Sequence, residues 1–301
     1  MSYVLQTSNL TKQYKNQIAL NNVNINIEKG DIYGLIGKNG AGKTTLMKII
    51  CGLIYSSHGE VKLFESNNLD ENRKRIGCVI EQPALYPSMT AKQNLIYYNK
   101  LLGISEYSNI DGLLNLVGLE NTGKKKTKNF SLGMKQRLSI AISLIGNPDF
   151  LILDEPINGL DPSGIIEIRE LLLKLNSERD ITILISSHIL GELAKVTTKY
   201  GIIKDGNLID QFASKDLETR CKRYISLGVN DTDKATYIIK NNIKITDYKV
   251  FNEGRIHIYD YLDKPDEINK ELVENGVLVS HIGLEGDDIE AYFIKKMGGD
   301  Q

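Results

Sequence analysis

The sequence predicts an α/β protein with an N-terminal antiparallel β layer, a mostly parallel core sheet, a helical insertion and a small C-terminal α+β domain. Three observations support this prediction. Short apolar runs end abruptly at polar residues, a stretch with helical spacing separates two of these runs, and the pattern changes near residue 220. A chain of 301 residues has room for one large domain or two moderate ones.

The N-terminal layer and the core sheet are predicted from hydrophobic patterning. Polar and apolar residues alternate through the first thirty positions, as in VNINI at residues 23–27, which is typical of half-solvated antiparallel strands. Short apolar runs are typical of buried parallel strands. These runs cover Asp31–Ile36, Ile76–Ile80, Phe150–Leu153 and Ile181–Ile185.

Helical spacing predicts an insertion at about residues 84–147. It begins with a possible capping box at Thr90-Ala91-Lys92-Gln93 and continues through Leu101, Leu113–Leu119 and Leu132–Ile145. This insertion separates the second apolar run from the third.

For the C-terminal part, the sequence pattern predicts a strand, a helix, two strands, a helix and a strand. This order is typical of a split βαβ, ferredoxin-like arrangement. The segments are Tyr224–Val229, Lys234–Lys240, Tyr248–Phe251, Arg255–Tyr261, Asp266–Glu274 and Val277–His281. We therefore predict one domain at residues 1–220 and an accessory domain at residues 221–301.

Composition argues against several classes of protein. The 37 Lys and Arg residues nearly balance 38 Asp and Glu residues, so bulk electrostatic binding to nucleic acid or anionic lipid is not expected. No apolar stretch approaches the roughly 20 residues of a membrane span and the N-terminus has no signal segment, which predicts a soluble, cytosolic chain. Cys51, Cys78 and Cys221 share no ligand spacing, and their odd count argues against a disulfide framework. They are predicted to be reduced.

A phosphate-binding loop is predicted at residues 37–44, where GKNGAGKT matches G-x-x-x-x-G-K-[ST] between an apolar strand and a helical segment. Glycines let successive backbone N–H groups face a β-phosphate, and the following helix start adds partial positive charge. Lys43 would reach the β- and γ-phosphates, and Thr44 would offer its hydroxyl to Mg²⁺. The loop alone indicates only a nucleoside triphosphate, since kinases, GTPases and transporters share it.

Polar residues at neighbouring strand ends extend this site. Asp154 and Glu155 follow a buried strand at the edge where ligands bind in open α/β sheets. Asp154 suits the Mg²⁺ shell and Glu155 suits a general base for water, although either alone could be an ordinary strand-end acid. His188 follows another strand at this edge, and a single histidine there is more often structural. Gln82, after the strand that ends at Ile80, would by itself be a loop amide.

A second candidate anion site begins another helix. In FSLGMKQRL at residues 130–138, Ser131 is well placed to cap the helix, which would expose the N–H of Gly133.

With these motifs, residues 2–215 resemble the nucleotide-binding subunit of ATP-binding cassette (ABC) transporters, which has a P-loop NTPase fold. The resemblance implies that Ser131–Gln136 is the signature segment, that Gln82 is the Q-loop residue and that His188 is the switch histidine. It also implies that Asn158-Gly159-Leu160-Asp161 is the D-loop. Six motifs occur in the family's order.

The resemblance implies ATP and Mg²⁺ as ligands, with Tyr14 as the aromatic residue that stacks on adenine. The implied nucleotide contacts are Tyr14, Gly37, Asn39, Gly40, Ala41, Gly42, Lys43, Thr44, Thr45, Ser131, Gly133 and Asp161. The implied magnesium ligands are Thr44, Gln82 and Asp154. The implied catalytic residues are Glu155, His188, Lys43 and Gln82.

The resemblance also implies partners. Two cassettes, identical or paired with another, would pack head to tail so that ATP held by Lys43 of one meets Ser131 and Gly133 of the other. Opening and closing would pass through the Gln82 loop and the insertion to a separate transmembrane permease, which would hold the chain at the inner face of the cell membrane. No nucleic-acid partner is expected.

A narrower resemblance comes from the amino-acid sequence of the signature segment. The family's usual L-S-G-G-Q is replaced by Phe130-Ser131-Leu132-Gly133-Met134, which keeps the serine and one glycine. This wording, and a tail containing Tyr292-Phe293 and Met297-Gly298-Gly299, resemble the bacitracin and lantibiotic self-protection exporters. The resemblance implies an ATPase that powers export of a peptide antibiotic or protection from it.

Two other functions stay open from sequence. One is a soluble ABC ATPase acting on ribosomes or nucleic acid, although such relatives typically have two cassettes or a long coiled coil. The other is a regulatory ATP sensor whose C-terminal domain binds a ligand. Lys124–Lys128 is predicted to be mainly a solvated loop. Tyr97 and Tyr98 are predicted to face either a membrane partner or the local core. His281 lacks the neighbouring ligands of a metal site.

Overall fold

The computed structural model describes residues 2–81, 85–105, 107–221, 223–251, 254–286 and 289–298. The chain divides into two compact units, Met1–Ser214 and Lys215–Gln301. No helix among the described residues is both long and apolar enough to cross a membrane.

The first unit contains ten described strands and seven described α-helices. The strands are β1 (Tyr3–Tyr14), β2 (Gln17–Val23), β3 (Asn26–Glu28), β4 (Ile32–Ile36), β5 (His58–Leu63), β6 (Ile76–Val79), β7 (Phe150–Leu153), β8 (Thr182–Ser187), β9 (Lys199–Lys204) and β10 (Asn207–Ala213). The helices are α1 (Lys43–Ile50), α2 (Leu69–Arg73), α3 (Ala91–Leu101), α4 (Ile110–Leu116), α5 (Leu132–Ser143), α6 (Pro162–Arg179) and α7 (Leu190–Leu193).

The core sheet has the strand order β10-β9-β4-β8-β7-β6. All neighbouring pairs are parallel except β9 and β10. Every residue of β4, β7 and β8 is buried. Strands covered on both faces need apolar residues at every position, which explains their continuous apolar runs. The predicted parallel core is confirmed.

The N-terminal layer is antiparallel, as predicted. β1 pairs with β2, β3 and β5, so the fourth strand comes from beyond the first thirty residues. The buried hydroxyl of Thr7 joins two segments of this layer, because it donates to Val23 O and accepts from Ile25 N, both at 2.9 Å.

The helical insertion contains α3, α4 and α5, which lie between β6 and β7 in the chain. The capping box before α3 is present: Thr90 Oγ1 accepts from Gln93 N at 3.2 Å, and Thr90 N donates to Gln93 Oε1 at 2.9 Å. Ser131 caps α5 by accepting from Met134 N at 3.2 Å. Both helix starts are therefore fixed locally.

The second unit contains α8 (Leu217–Arg220), β11 (Tyr224–Val229), α9 (Thr232–Asn241), β12 (Tyr248–Phe251), β13 (Arg255–Ile258), α10 (Pro265–Glu274), β14 (Val279–Glu285) and α11 (Ile289–Lys296). Its antiparallel sheet has the order β12-β13-β11-β14. Residues of the strands and of α9 and α10, among them Leu227, Ile239 and Ile268, form its apolar core. This is the predicted ferredoxin-like arrangement.

The predicted bounds of two strands in this unit were wrong. β13 ends at Ile258 instead of Tyr261, where a φ of 57° turns the chain. β14 begins at Val279, and Val277 precedes it as a buried core residue after the turn at Gly276. β14 ends at Glu285 instead of His281, because its pairing with β11 continues to Tyr224.

Replacing Gly77 in β6 by alanine should destabilise the first unit. The added Cβ would lie 2.1 Å from Ser143 O at the end of α5, a backbone atom that cannot rotate away. We expect a loss of about 1–3 kcal/mol in the free energy of unfolding, measured by urea denaturation with circular dichroism.

Gly112→Ala in α4 is the matched control. There the added Cβ meets only the side-chain oxygen of Asn109, at 2.9 Å, and alanine favours the helix. Equal unfolding midpoints for the two variants would contradict the steric account.

Candidate functional site

Residues 37–42 connect β4 to α1, and two of their glycines are required by close packing. Gly42 has a φ of 110°, and a Cβ there would lie 2.6 Å from Ala19 O. A Cβ at Gly37 would lie 2.5 Å from Ile203 O. The backbone can therefore curl tightly at the N-terminus of α1, where the first N–H groups of a helix have no intrahelical acceptor.

The ammonium group of Lys43 is held inside this curl. Lys43 is 5% exposed, and its Nζ donates to Gly37 O at 2.6 Å and to Lys38 O at 3.3 Å. It also lies 3.4 Å from Glu155 Oε1. A buried cation needs such partners. The loop therefore presents one positive charge beside the helix N-terminus, an arrangement suited to phosphate.

The carboxylate of Asp154 is the centre of a hydroxyl network. Asp154 follows β7 and is 6% exposed. Its Oδ2 accepts from Thr44 Oγ1 at 2.7 Å, and its Oδ1 accepts from Ser186 Oγ at 2.6 Å. Ser186 Oγ in turn accepts from Glu155 N at 2.9 Å. The network thus links the start of α1 with β8 and the end of β7.

Glu155 lies between a cation and an imidazole. Its backbone φ is 52°, a left-handed conformation that costs a non-glycine residue about 1–3 kcal/mol. Its Oε2 is hydrogen-bonded to His188 Nδ1 at 2.7 Å. Its Oε1 is buried without a hydrogen-bond donor among the described residues, with the Lys43 ammonium as the charged neighbour. This turn directs the carboxylate toward the loop.

The loop forms one side of a cavity of about 320 Å³, a size typical of ligand clefts. Among the described residues, its lining is Tyr14, Gln17, Ala19, Asn39, Gly40, Gly42, Lys43, Thr44, Thr45 and Glu155. Tyr14 is 45% exposed, and the Lys12 ammonium lies 4.8 Å from the centre of its ring. The cavity therefore joins an accessible aromatic surface to the cationic loop.

The signature segment and the D-loop form a second group. Asp161 caps α6 by accepting from Gly164 N at 3.1 Å. A Cβ at Gly159 would lie 3.2 Å from the Leu132 side chain, and one at Gly133 would lie 3.8 Å from the Leu160 side chain. The two helix starts therefore lie side by side.

The structure brings most of the predicted site residues into these two groups. Lys43, Thr44, Asp154, Glu155 and His188 are connected through hydrogen bonds or an ion pair. Tyr14, Asn39, Gly40, Gly42 and Thr45 line the same cavity, and Gly37 accepts from Lys43. Within the described chain, Ser131, Gly133 and Asp161 are absent from that lining. Ala41 is buried, and Gln82 lies outside the described residues.

Sequence reasoning missed Ser186, whose hydroxyl donates to the Asp154 carboxylate and accepts from the backbone N–H of Glu155. The register of two strands could have identified it. β7 and β8 are adjacent and parallel, with Leu153 opposite Ile185, so Asp154 and Ser186, the residues that follow, lie side by side. Gln17 and Ala19 in the cavity lining were also missed, and their residue types give no signal.

Comparisons with known proteins show the family to which this chain belongs. A family model described as ABC transporter matches residues 20–158. The bacitracin transport ATP-binding protein BcrA of Bacillus licheniformis is 43% identical over 302 residues, covering 99% of both chains. The lantibiotic transport ATP-binding protein SrtF of Streptococcus pyogenes is 50% identical over 207 residues, covering 68% of this chain and 89% of its own. The predicted family resemblance is confirmed.

Solved structures agree on the fold. The cbiO1 subunit of Clostridium perfringens, part of the ABC transporter complex cbiONQ, superposes with a TM-score of 0.66 at 27% identity, covering 81% of this chain and 98% of its own. The ATP-binding cassette MJ0796, in a dimeric post-hydrolysis state with ADP and Pi, gives a TM-score of 0.63 at 28% identity, covering 70% of this chain and 98% of its own. This chain therefore belongs to the ABC transporter family as an ATP-binding subunit with ATPase activity.

Proposed function

We propose that this chain hydrolyses ATP to power export of a bacitracin-like or lantibiotic-like peptide antibiotic, or protection from it, through a separate membrane permease. The observation that carries this proposal is the match to BcrA, which covers 99% of both chains and so includes the second unit as well as the cassette. The permease would hold the chain at the inner face of the cell membrane. Action on ribosomes or nucleic acid is not favoured, since these relatives are named for transport.

Asp154 and Thr44 are the proposed ligands of Mg²⁺. Their oxygens meet at 2.7 Å, and hydroxyl and carboxylate oxygens are the donors that this ion prefers. Bound there, Mg²⁺ would neutralise charge on the phosphate oxygens. Lys43 supplies the protein's own positive charge to the same phosphates. The contribution of Gln82 to this ion remains a prediction.

Glu155 is the proposed general base. The carboxylate reaches the cavity, and the hydrogen bond that its Oε2 accepts from His188 Nδ1 fixes its orientation. A water hydrogen-bonded to this carboxylate would lose a proton to it as it attacks the γ-phosphate. His188 is then a positioning residue for the base as well as a candidate contact to the phosphate.

A head-to-tail dimer is the proposed active assembly. Ser131 and Gly133 are absent from the described lining of their own chain's cavity, although the α5 N-terminus suits an anion. In the proposed dimer they contact the γ-phosphate of ATP bound to the second cassette. The dimeric MJ0796 structures support two cassettes as the unit of assembly.

An aromatic cluster marks the proposed permease-docking surface. Tyr86 donates its hydroxyl hydrogen to Tyr97 Oη at 2.8 Å, and their ring centres are 4.4 Å apart. The ring centres of Tyr97 and Tyr98 are 5.8 Å apart, and Tyr86 is 39% exposed. The cluster starts four positions after Gln82 in the sequence, which supports the proposal that it connects the Q-loop and the insertion to a membrane partner.

Ser186→Ala should slow ATP hydrolysis and raise the Mg²⁺ concentration needed for half-maximal rate. The change leaves one Asp154 oxygen and the Glu155 N–H without their hydroxyl partner. Loss of a residue that supports metal ligands typically costs about 10–100-fold in activity or metal affinity.

Ser187→Ala is the matched control, because this neighbouring hydroxyl accepts from Ile189 N and, among the described residues, makes no hydrogen bond to Asp154 or Glu155. ATPase activity would be titrated against Mg²⁺ for both variants. Equal curves would exclude the positioning role of Ser186.

Glu155→Gln should stabilise an ATP-dependent dimer. The change slows hydrolysis but keeps Lys43, Thr44 and Asp154, so the γ-phosphate persists between the cassettes. Size-exclusion chromatography with multi-angle light scattering should show dimer with MgATP and monomer with MgADP. Adding Ser131→Arg, which places bulk at the proposed contact, should restore the monomer.

A monomer under every condition, also when the permease is co-expressed and co-purified, would count against the head-to-tail mechanism. A dimer that forms equally with MgADP would show that the γ-phosphate is not the link.

Expression with the cognate permease should raise tolerance to an extruded peptide antibiotic. Growth would be compared across bacitracin and a panel of lantibiotics, with Glu155→Gln as the inactive control. No difference against any of these compounds would remove the proposed substrate class but keep the family assignment.

A further inference from the structure

A second cavity lies in the helical insertion. Its volume is about 300 Å³, at the lower end of the range for small-molecule sites. Three segments enclose it: the end of α3 with the turn that follows, the beginning of α4, and the turn after α5. Its described lining shares no residue with the cavity beside the phosphate loop. The two cavities are therefore separate sites within the first unit.

One part of the lining is aliphatic. Ile110, Leu113 and Ile145 are buried residues of the insertion that line the cavity, and Ile104 lines it as a partly buried residue. Covering such side chains with an apolar group is favourable, because it removes apolar surface from water. This part of the cavity therefore suits a branched aliphatic group.

The carboxamide of Asn99 provides a buried polar contact in the same cavity. Asn99 is only 5% exposed, and it belongs to the lining. Its Nδ2 donates to Leu95 O at 2.9 Å, one turn earlier in α3. Its Oδ1 accepts no hydrogen bond from any residue that the structure describes. Because the nitrogen is turned to the helix backbone, the oxygen is the atom left to accept a hydrogen bond from a ligand.

Two further carboxamides line the cavity without serving the fold through their side chains. Asn109 is the residue that precedes α4, where an asparagine normally caps the helix, but its side chain makes no capping hydrogen bond. Asn147 has a φ of 53°, a conformation that asparagine tolerates and that accounts for its residue type. Its side chain makes no hydrogen bond within the described chain. Asn99 and Asn109 therefore carry polar groups that local structure does not explain.

The lining determines the kind of ligand. Among the described residues it contains no Lys, Arg, Asp or Glu, so a charged ligand would enter a partly apolar cavity without an opposite charge, which is costly. A carboxamide offers both N–H donors and a carbonyl acceptor, the same groups that a peptide bond presents. The cavity is thus matched to a neutral molecule that combines a peptide group with an aliphatic side chain.

We propose that this cavity binds an uncharged, peptide-like small molecule that carries a branched aliphatic group. An N–H group of the ligand donates to Asn99 Oδ1, and its aliphatic group packs against Ile110, Leu113 and Ile145. Asn109 supplies a second polar contact at the beginning of α4. This site is additional to the proposed function, and ligand binding there requires neither ATP hydrolysis nor a permease.

Isoleucine-methyl NMR on the full chain tests the proposal, with N-acetyl-L-leucinamide as the neutral probe. The methyl resonances of Ile104, Ile110 and Ile145 should shift and saturate as the probe is added. The methyl resonance of Ile238, in the core of the second unit, should stay in place. N-acetyl-L-leucine, which differs in carrying a carboxylate, should bind about tenfold more weakly. No shift at the three lining methyls, or equal affinity for the two probes, would overturn the proposal.

Asparagine variants test the polar contact. Asn99→Leu removes the acceptor while keeping a helix-forming residue of similar size, and it should weaken binding of the neutral probe about tenfold. Asn109→Ala should also weaken binding, and α4 should remain intact because no capping hydrogen bond is lost. Asn115→Ala, at an exposed position of α4 outside the described lining, is the matched control and should bind like wild type.

The outcome for Asn99→Leu decides the proposal if this variant folds, which circular dichroism would establish. Wild-type affinity in the folded variant would overturn the proposed contact. If the variant does not fold, the comparison of Asn109→Ala with Asn115→Ala decides instead, and equal affinities for these two would overturn the proposal. Since each readout is binding of the probe, failure here is distinct from failure of the proposed function, which the ATPase and tolerance assays test.

Discussion

The buried carboxylate of Asp154 is the constraint around which the site is built. An ionised carboxylate that is 6% exposed is costly unless hydrogen-bond donors meet it. Its two donors, Thr44 and Ser186, come from α1 and β8, while Asp154 itself follows β7. Satisfying one charge therefore fixes the positions of three elements. Because Ser186 also accepts from Glu155 N, the same network holds the adjoining left-handed turn and so aims the Glu155 carboxylate.

Charge balance connects this network to the phosphate loop. The Lys43 ammonium bonds to carbonyls of its own loop and lies 3.4 Å from Glu155, whose other oxygen is bonded to His188. A γ-phosphate at the loop competes with Glu155 for the Lys43 charge. As Lys43 turns to the phosphate, the Glu155 carboxylate would lose the ammonium group that lies 3.4 Å away and would be free to accept a hydrogen bond from water. Substrate binding thus prepares the group that the proposed reaction needs, and His188 preserves its orientation.

Sequence alone predicts the elements whose chemistry is local. The continuous apolar strands, the capping box at Thr90, the glycine loop and the C-terminal element order all follow from residue type and spacing. The role of Ser186 required the register of strands that are distant in sequence, because a serine gives no sign of its contacts until its neighbours are known. The bounds of β13 and β14 depend on turns at Tyr261 and Gly276. The positive φ of Tyr261 could not be predicted, because a tyrosine gives no sequence signal for that conformation.

In the proposed dimer, the separation of the phosphate loop from the signature segment would give ATP a structural role. One chain supplies Lys43, Thr44 and Glu155 to a cavity whose described lining excludes its own Ser131. The signature helix start packs beside the D-loop through Gly133 and Leu160, and Asp161 caps the helix that follows. These two segments therefore present a continuous surface, and in the proposed dimer that surface meets the second cassette as a unit. The γ-phosphate is the part of the nucleotide that both groups would share, so its hydrolysis removes the charge that holds the surfaces together.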